Sequence, residues 1–384
     1  MDGKTSIDLN YFKSLRREFH RIPELGYREY KTSDKISQEL DSYGIEYERG
    51  IGKTGIVAWI KKGNSKHSIA LRADMDALEI PDESGVKYIS EHNGISHACG
   101  HDGHTVMLLA AAKALKSDIE FDGTVYLIFQ PAEEGGAGAK RMIDDGLFEK
   151  FKIDSIYGMH NRPQEPFGTF LIKEGPVMTS VDTWSVLVKG RSGHSSQPHR
   201  TINPIIVAAH TVQAIKEISA LSIDPSEAHV ITVSGIYGGG VFNAVPDTCR
   251  IEGSIRSFSN KVQNIIEERI NTLSKSIANG FGAEAEVHYE YRYPPTINTK
   301  IDSALGAAKM TVGVENIKSD FSSSMGSEDF SYFLQQVQGC YVWLGSATDE
   351  NSVTPLHSSK YDFNDDLIEI GANYWINLVK RELS

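Results

Sequence analysis

Apolar residues recur at helical spacing in YFKSLRREF (11–19) and KTSDKISQELDSY (31–43), and the stretch 104–117 also predicts a helix. Between and around these, TGIVAWIK (54–61), SIALRAD (68–74) and TVYLIFQP (124–131) are short, apolar and strand-like. Such alternation predicts an α/β layer with a mostly parallel central sheet. From about 181 the pattern changes. TWSVLVKG (183–190), HVITVSGI (229–236), TCRIEGSIRSF (248–258) and EAEVHYEYR (284–292) predict strands, while 203–219 and 260–279 predict helices. In chain order these elements are βαββαβ, the split ferredoxin-like unit. The paired prolines of YPPTINT (293–299) end its last strand and stiffen a return linker. A helix near 301–312, SEDFSYFLQQ (327–336), the strand CYVWLG (340–345), the loop TPLHSSKYDF (354–363) and a helix at 365–382 follow. The expected organisation is a discontinuous catalytic domain, 1–180 with 294–384, carrying an inserted domain, 181–293.

At 384 residues the chain suits two domains of ordinary size. A net charge of −12 and a pI near 5.6 argue against nucleic-acid and anionic-membrane partners, both of which reward basic patches. The opening MDGKTSIDLN has no apolar signal-peptide core, and no apolar run approaches a membrane span. Cys99, Cys249 and Cys340 are too few and too odd in number for a disulfide framework. Together these features predict a cytoplasmic location.

The chemistry concentrates in two runs, SHACGHDGHT (96–105) and QPAEEGGAGA (130–139). Cys99 and His101 flank a loop glycine, so a thiolate and an imidazole can face one ion. Glu133 and Glu134 are adjacent and point apart, which suits one to binding metal and the other to moving protons. A divalent ion acidifies a water it binds, and a free carboxylate beside it takes the proton. His160, in IYGMHNRP, and His357, in TPLHSSK, stand where strands are expected to end. The five candidate ligands suffice for two adjacent ions with some sharing. Thiolate and imidazole favour zinc, and the carboxylate also admits manganese or cobalt. In LRADMDALEI (71–80), Asp74 and Asp76 close a strand, either as a solvated end or, for Asp76, as the carboxylate that orients a ligating histidine.

HRIPELGYRE (20–29), LRADMDALEI, HACGHDGHT, FQPAEEG, GMHNRP, GHSSQPH (193–199), GGGVFNAVPD (238–247) and PLHSSKYDF occur in the order expected of a known family. With them the chain resembles the metal-dependent aminoacylase and carboxypeptidase superfamily, in particular its N-acyl-amino-acid amidohydrolases. The resemblance implies a zinc-exopeptidase-like catalytic domain and an inserted domain that pairs two subunits. It implies Cys99, His101, Glu134, His160 and His357 as metal ligands, and Glu133 as general base. It also implies that His194 reaches the scissile carbonyl, often from the partner subunit of a homodimer, and that Asn243 and Arg256 hold the substrate. The wider superfamily carries a ligating histidine where this chain has Asp74, a change its subgroup shares.

The expected reaction is hydrolysis of an N-acyl amino acid to a carboxylic acid and a free amino acid, with His194 and Asn243 suited to steadying the oxyanion. A dipeptidase or carboxypeptidase with the same chemistry is the alternative. A non-catalytic metal-binding or thiol-sensing protein is a further one, against which the spare carboxylate Glu133 argues. A nucleobase deaminase needs H-x-E and C-x-x-C signatures that the chain lacks. Cys99 and His101 are too close in sequence for a thiol-protease pair. Trp184, Tyr237 and Phe242 are either acyl-pocket lining or packing.

Overall fold

The computed structural model describes residues 7–349 and 353–384, so most of MDGKTSIDLN lies outside them. The chain forms two compact units. One runs to Gly175 and resumes at Ile297–Ser322 and Asp329–Ser384, and the other comprises Pro176–Thr296 with Ser323–Glu328.

The first unit is built on an eight-stranded sheet. Helices α1 (Leu9–Arg21) and α2 (Tyr30–Tyr43) precede β1 (Glu46–Ile51), β2 (Gly55–Lys62) and β3 (Ser68–Asp74). Helix α3 (His101–Ser117) leads to β4 (Gly123–Gln130), then β5 (Ser155–Pro166) and the short β6 (Phe170–Leu171). The spatial order is β1-β2-β4-β3-β5, then the strand Gln338–Ala347, β6 and Ile317–Lys318. β3 lies parallel to both β4 and β5, and Gln338–Ala347 runs parallel to β5. A central parallel strand is covered on both faces, and all seven residues of β3 are buried. Its two charges are therefore paired internally. Arg72 reaches Asp74 at 2.7 Å, Gln130 Oε1 at 2.7 Å and Asp329 at 3.2 Å. Helix α3 is apolar nearly all round, which matches its position inside the core with Phe12, Leu71 and Trp375.

His20 on α1 is buried, with Nδ1 2.7 Å from Asp102 and Nε2 3.2 Å from Asp82. Burial opposes its charge, but the bonds to Asp102 and Asp82 outweigh it and raise the pKa to about 9. A raised histidine pKa stabilises the fold fully below about 6.5, and that contribution is lost as pH rises through about 9. Urea midpoints measured across this interval should fall with a component that His20→Gln lacks. Equal slopes in the two proteins would remove His20 from the balance.

In the second unit, Val181–Lys189, His229–Gly238, Thr248–Ser257 and Glu284–Tyr293 form an antiparallel sheet in the spatial order His229–Gly238, Thr248–Ser257, Val181–Lys189, Glu284–Tyr293, so the first strand lies between the third and the last. Helices Pro204–Leu221 and Asn260–Gly280 lie between the first and second and between the third and fourth strands in sequence. Trp184, Val186, Ile251 and Ile266 belong to its separate core. Trp184 is thus packing, whereas Tyr237 and Phe242 are exposed.

Candidate metal centre

Parallel strands gather functional groups at their carboxyl ends, and this sheet does so on the neighbours β3 and β4. Asp74 closes β3 with Asp76 just beyond it, and Glu133 and Glu134 follow β4. His160 lies within β5, not at a strand end, because the parallel partner Gln338–Ala347 continues the ladder through its neighbours. His101 likewise is the first residue of α3, not a loop residue. Gly100 makes that start possible: its φ is 88°, and a Cβ there would sit 2.6 Å from Asn161 Oδ1.

The side chains of Cys99, His101 and Glu134 offer ligand atoms within 4.8 Å of one another. His160 Nε2 is 3.3 Å from Cys99 Sγ, and His357 Nε2 is 3.3 Å from Glu134 Oε1. The loop carrying His357 is tied in through its backbone N–H, which donates to Ala98 O at 2.8 Å. Each buried histidine is oriented by its other nitrogen. His101 Nδ1 lies 3.2 Å from Asp76 Oδ1, and His160 Nδ1 donates to Asn161 O at 2.7 Å. In the neutral rings, both Nε2 lone pairs thus turn toward the cluster. Asp76 Oδ2 also accepts from Glu134 N–H at 3.0 Å, so one carboxylate orients two candidate ligands.

The electrostatics call for a cation. Burial, with Glu134, Glu133 and Asp74 nearby, pushes the Cys99 thiol well above its ordinary pKa. Burial opposes a charged His101, yet Asp74, Asp76 and Glu134 raise it to about 10. Burial also disfavours the Glu134 carboxylate, but His357 and His101 hold it below the usual range. His101 Nε2 is buried without a hydrogen-bonding partner among the described residues. A buried polar atom without a partner is rare in native interiors, and this one suits a metal ligand. The donor set of thiolate, imidazole and carboxylate suits a divalent transition metal.

Two residues went unread in the sequence although both lie in quoted motifs. His104 is buried on α3 one turn beyond His101, with Nδ1 2.6 Å from Asp74 and its ring 4.4 Å from that of His160. The spacing of histidines in GHDGH was the available signal. Asp74 is therefore a buried, paired carboxylate rather than a solvated strand end. Asn161 follows His160, and its amide Nδ2 donates to the Tyr361 hydroxyl at 2.6 Å.

In the second unit, a two-stranded ladder pairs His194 with Ala244, and Ser195 N–H donates to Asn243 O at 3.0 Å. His194 and Asn243 are thereby neighbours and both are exposed. His194 Nδ1 accepts from Ser196 N–H at 3.2 Å, leaving the proton on Nε2 in the neutral ring. Arg256 is half-buried and donates to Met325 O at 3.0 Å.

The profile of Peptidase family M20/M25/M40 matches residues 70–381. Hippurate hydrolase of Campylobacter jejuni is 39% identical over 374 residues, covering 97% of this chain and 96% of that one. Thermostable carboxypeptidase 2 of Saccharolobus solfataricus is 37% identical over 369 residues, covering 93% and 92%. The crystal structure of a Bacillus subtilis protein described as a dinuclear metal-binding peptidase of the M20 family superposes with a TM-score of 0.83 at 30% identity, covering 97% of each chain. Among the described residues no helix is long and apolar enough to cross a membrane. Family-wide match, near full-length relatives and a shared fold agree that the chain belongs to Peptidase family M20/M25/M40 and is a hydrolase of amide bonds.

Proposed function

We infer that the protein is a metal-dependent amidohydrolase that cleaves N-acyl amino acids to a carboxylic acid and a free amino acid. The observation that carries this reading is the convergence of Cys99, His101 and Glu134 beside a second, adjacent carboxylate, in a chain 39% identical to a hippurate hydrolase. Cys99, His101, Glu134, His160 and His357 would hold the metal, as two neighbouring ions of zinc or manganese, with cobalt also admitted by the donor set. When bound, a divalent ion supplies an acidified water and draws charge from the substrate carbonyl oxygen.

The protein's own groups do the rest. Glu133 takes a proton from the attacking water and passes it to the amine nitrogen as the C–N bond breaks. His194 donates its Nε2–H to the carbonyl oxygen as that oxygen gains negative charge, with Asn243 beside it. Arg256 is assigned to the substrate carboxylate. The insertion, 181–293, is assigned to covering the substrate and pairing two chains. Three buried, unpaired cysteines support a cytoplasmic setting.

A second reading has its own support, since a carboxypeptidase is 37% identical. Both readings share a leaving group, an amino acid with a free carboxylate. They differ in whether the acyl side is a simple acid or a peptide.

Release of glycine from N-benzoylglycine tests the reading. Protein stripped by chelator should be inactive and should recover with zinc, manganese or cobalt added singly; full activity in stripped protein of verified metal content would sink it. Asp76→Asn keeps the shape but weakens the acceptor facing His101 Nδ1. Metal affinity, measured by competition with a chromogenic chelator, should fall about 10- to 100-fold. An unchanged affinity would detach Asp76 from the centre.

A further inference from the structure

The turn that carries Glu133 and Glu134 has a backbone few sequences adopt. Ala132 has φ 53° and Ala137 φ 53°, both left-handed without being glycine, and Gly135 has φ 89°. Non-glycine residues persist in this region only when their surroundings over-determine them. The surroundings here come from HRIPELGYRE, a motif to which the proposed reaction gives no part.

Glu29, the last residue of that motif, is fully buried. One carboxylate oxygen accepts from Ala132 N–H at 2.9 Å, and the other accepts from the Thr54 hydroxyl at 2.6 Å. Tyr27 donates its hydroxyl to Gly136 O at 2.7 Å, at the far end of the same turn. Gly26 lies so close that a Cβ on it would stand 3.0 Å from both Cα and Cβ of Ala132. The motif segment is itself anchored: Glu24 accepts from Thr32 N–H at 2.9 Å, and Ala77 N–H donates to Glu24 O at 2.8 Å. One residue past Ala132 is Glu133, and the next, Glu134, is held through its N–H by Asp76.

We propose that Glu29 is a positioning residue for amide hydrolysis, its carboxylate clamping the left-handed Ala132 and so aiming Glu133. The inference rests on the reading of Glu133 as the base. A buried acid whose oxygens meet no donor is costly to retain. The two acceptor oxygens of Glu29 instead meet two donors, one of them on the residue whose backbone sets the direction of the next side chain. Ala132 released from Glu29 would be free to leave the left-handed region, and displacement of a reacting carboxylate by about 1 Å costs on the order of 100-fold in rate.

The clamp is an acceptor bond, which gives it a signature. Glu29→Gln keeps a carbonyl oxygen for Ala132 N–H, and Thr54 can rotate its hydroxyl to accept from the new amide. Glu29→Leu removes the acceptor. With the metal-replete enzyme, Glu29→Leu should lower kcat about 100-fold at unchanged KM, while Glu29→Gln stays close to wild type. Hydrogen–deuterium exchange should quicken in peptides spanning 131–138 in Glu29→Leu alone, with metal content and exchange elsewhere unaltered. Gly26→Ala, which presses on Ala132 from the other side, should repeat the kcat loss and serves where Glu29→Leu fails to fold. Equal losses in the Gln and Leu variants, a loss confined to KM, or wild-type kcat in both Glu29→Leu and Gly26→Ala would overturn the proposal. If wild-type protein turns over no N-acyl amino acid, the functional reading fails, and the exchange experiment alone decides the clamp: faster exchange at 131–138 upholds it and unchanged exchange ends it.

Discussion

Glu133→Gln should retain its full complement of metal and lose about 1,000-fold or more in kcat. General acid–base catalysis by one positioned group typically contributes 100- to 10,000-fold, and here one carboxylate is asked both to accept the proton of water and to deliver it to the leaving nitrogen. The upper part of that range is therefore expected. An amide is close in shape to the carboxylate it replaces, so the turn at Glu133–Gly136 and the neighbouring Glu134 are preserved. The amide cannot take up a proton near neutral pH, so binding and chemistry separate. KM should change little, since Glu133 is not assigned to the substrate's ground state. Steady-state kinetics with metal analysis of the same sample decides this. A variant within tenfold of wild type, fully loaded with metal, would assign proton transfer elsewhere.

His194→Ala is the second large effect, a fall in kcat of about 100- to 1,000-fold, the usual cost of removing one oxyanion donor. The bond from Ser196 N–H keeps Nδ1 as acceptor, so the neutral ring presents Nε2–H outward. Removing that donor costs most when the carbonyl oxygen carries charge, so the loss should fall on kcat more than on KM. His194 also lies in an exposed ladder with Ala244, away from the core of its unit, so the substitution should leave stability nearly unchanged. If the histidine serves the partner subunit, heterodimers of His194→Ala and Glu133→Gln chains regain one working site in two. Proven heterodimers without recovered turnover would place His194 in its own chain's site, and wild-type kcat in His194→Ala would remove it from the reaction.

The layer pattern was legible because apolar periodicity differs between β3, with every residue buried, and surface helices such as α1, whose Phe12, Leu15 and Phe19 face inward. The strand Glu46–Ile51 escaped notice because EYERGI is an edge strand with half its positions exposed, half its positions charged and no apolar run. The candidate ligands were legible as residue types near expected strand ends, and Cys99, His101 and Glu134 do come together. The position of His160 inside β5 was not, since strand length there depends on a partner strand, Gln338–Ala347, far along the chain. Long-range bonds explain the other omissions. Nothing local in Glu29 announces that it accepts from Ala132, and nothing in Asn243 announces that its carbonyl receives Ser195 N–H. His104 was visible in sequence, but only its burial between Asp74 and His160 gives it a role.

The most direct measurement of the central claim is kcat/KM for free-amine release from a matched panel: N-acetyl, N-benzoyl and longer N-acyl derivatives of one amino acid beside dipeptides ending in the same residue. Metal-replete protein should favour the simple acyl derivatives by at least about tenfold, a difference of about 1.4 kcal/mol in transition-state binding. A preference of that size for the dipeptides would contradict the account and make the protein a peptidase working with the same residues.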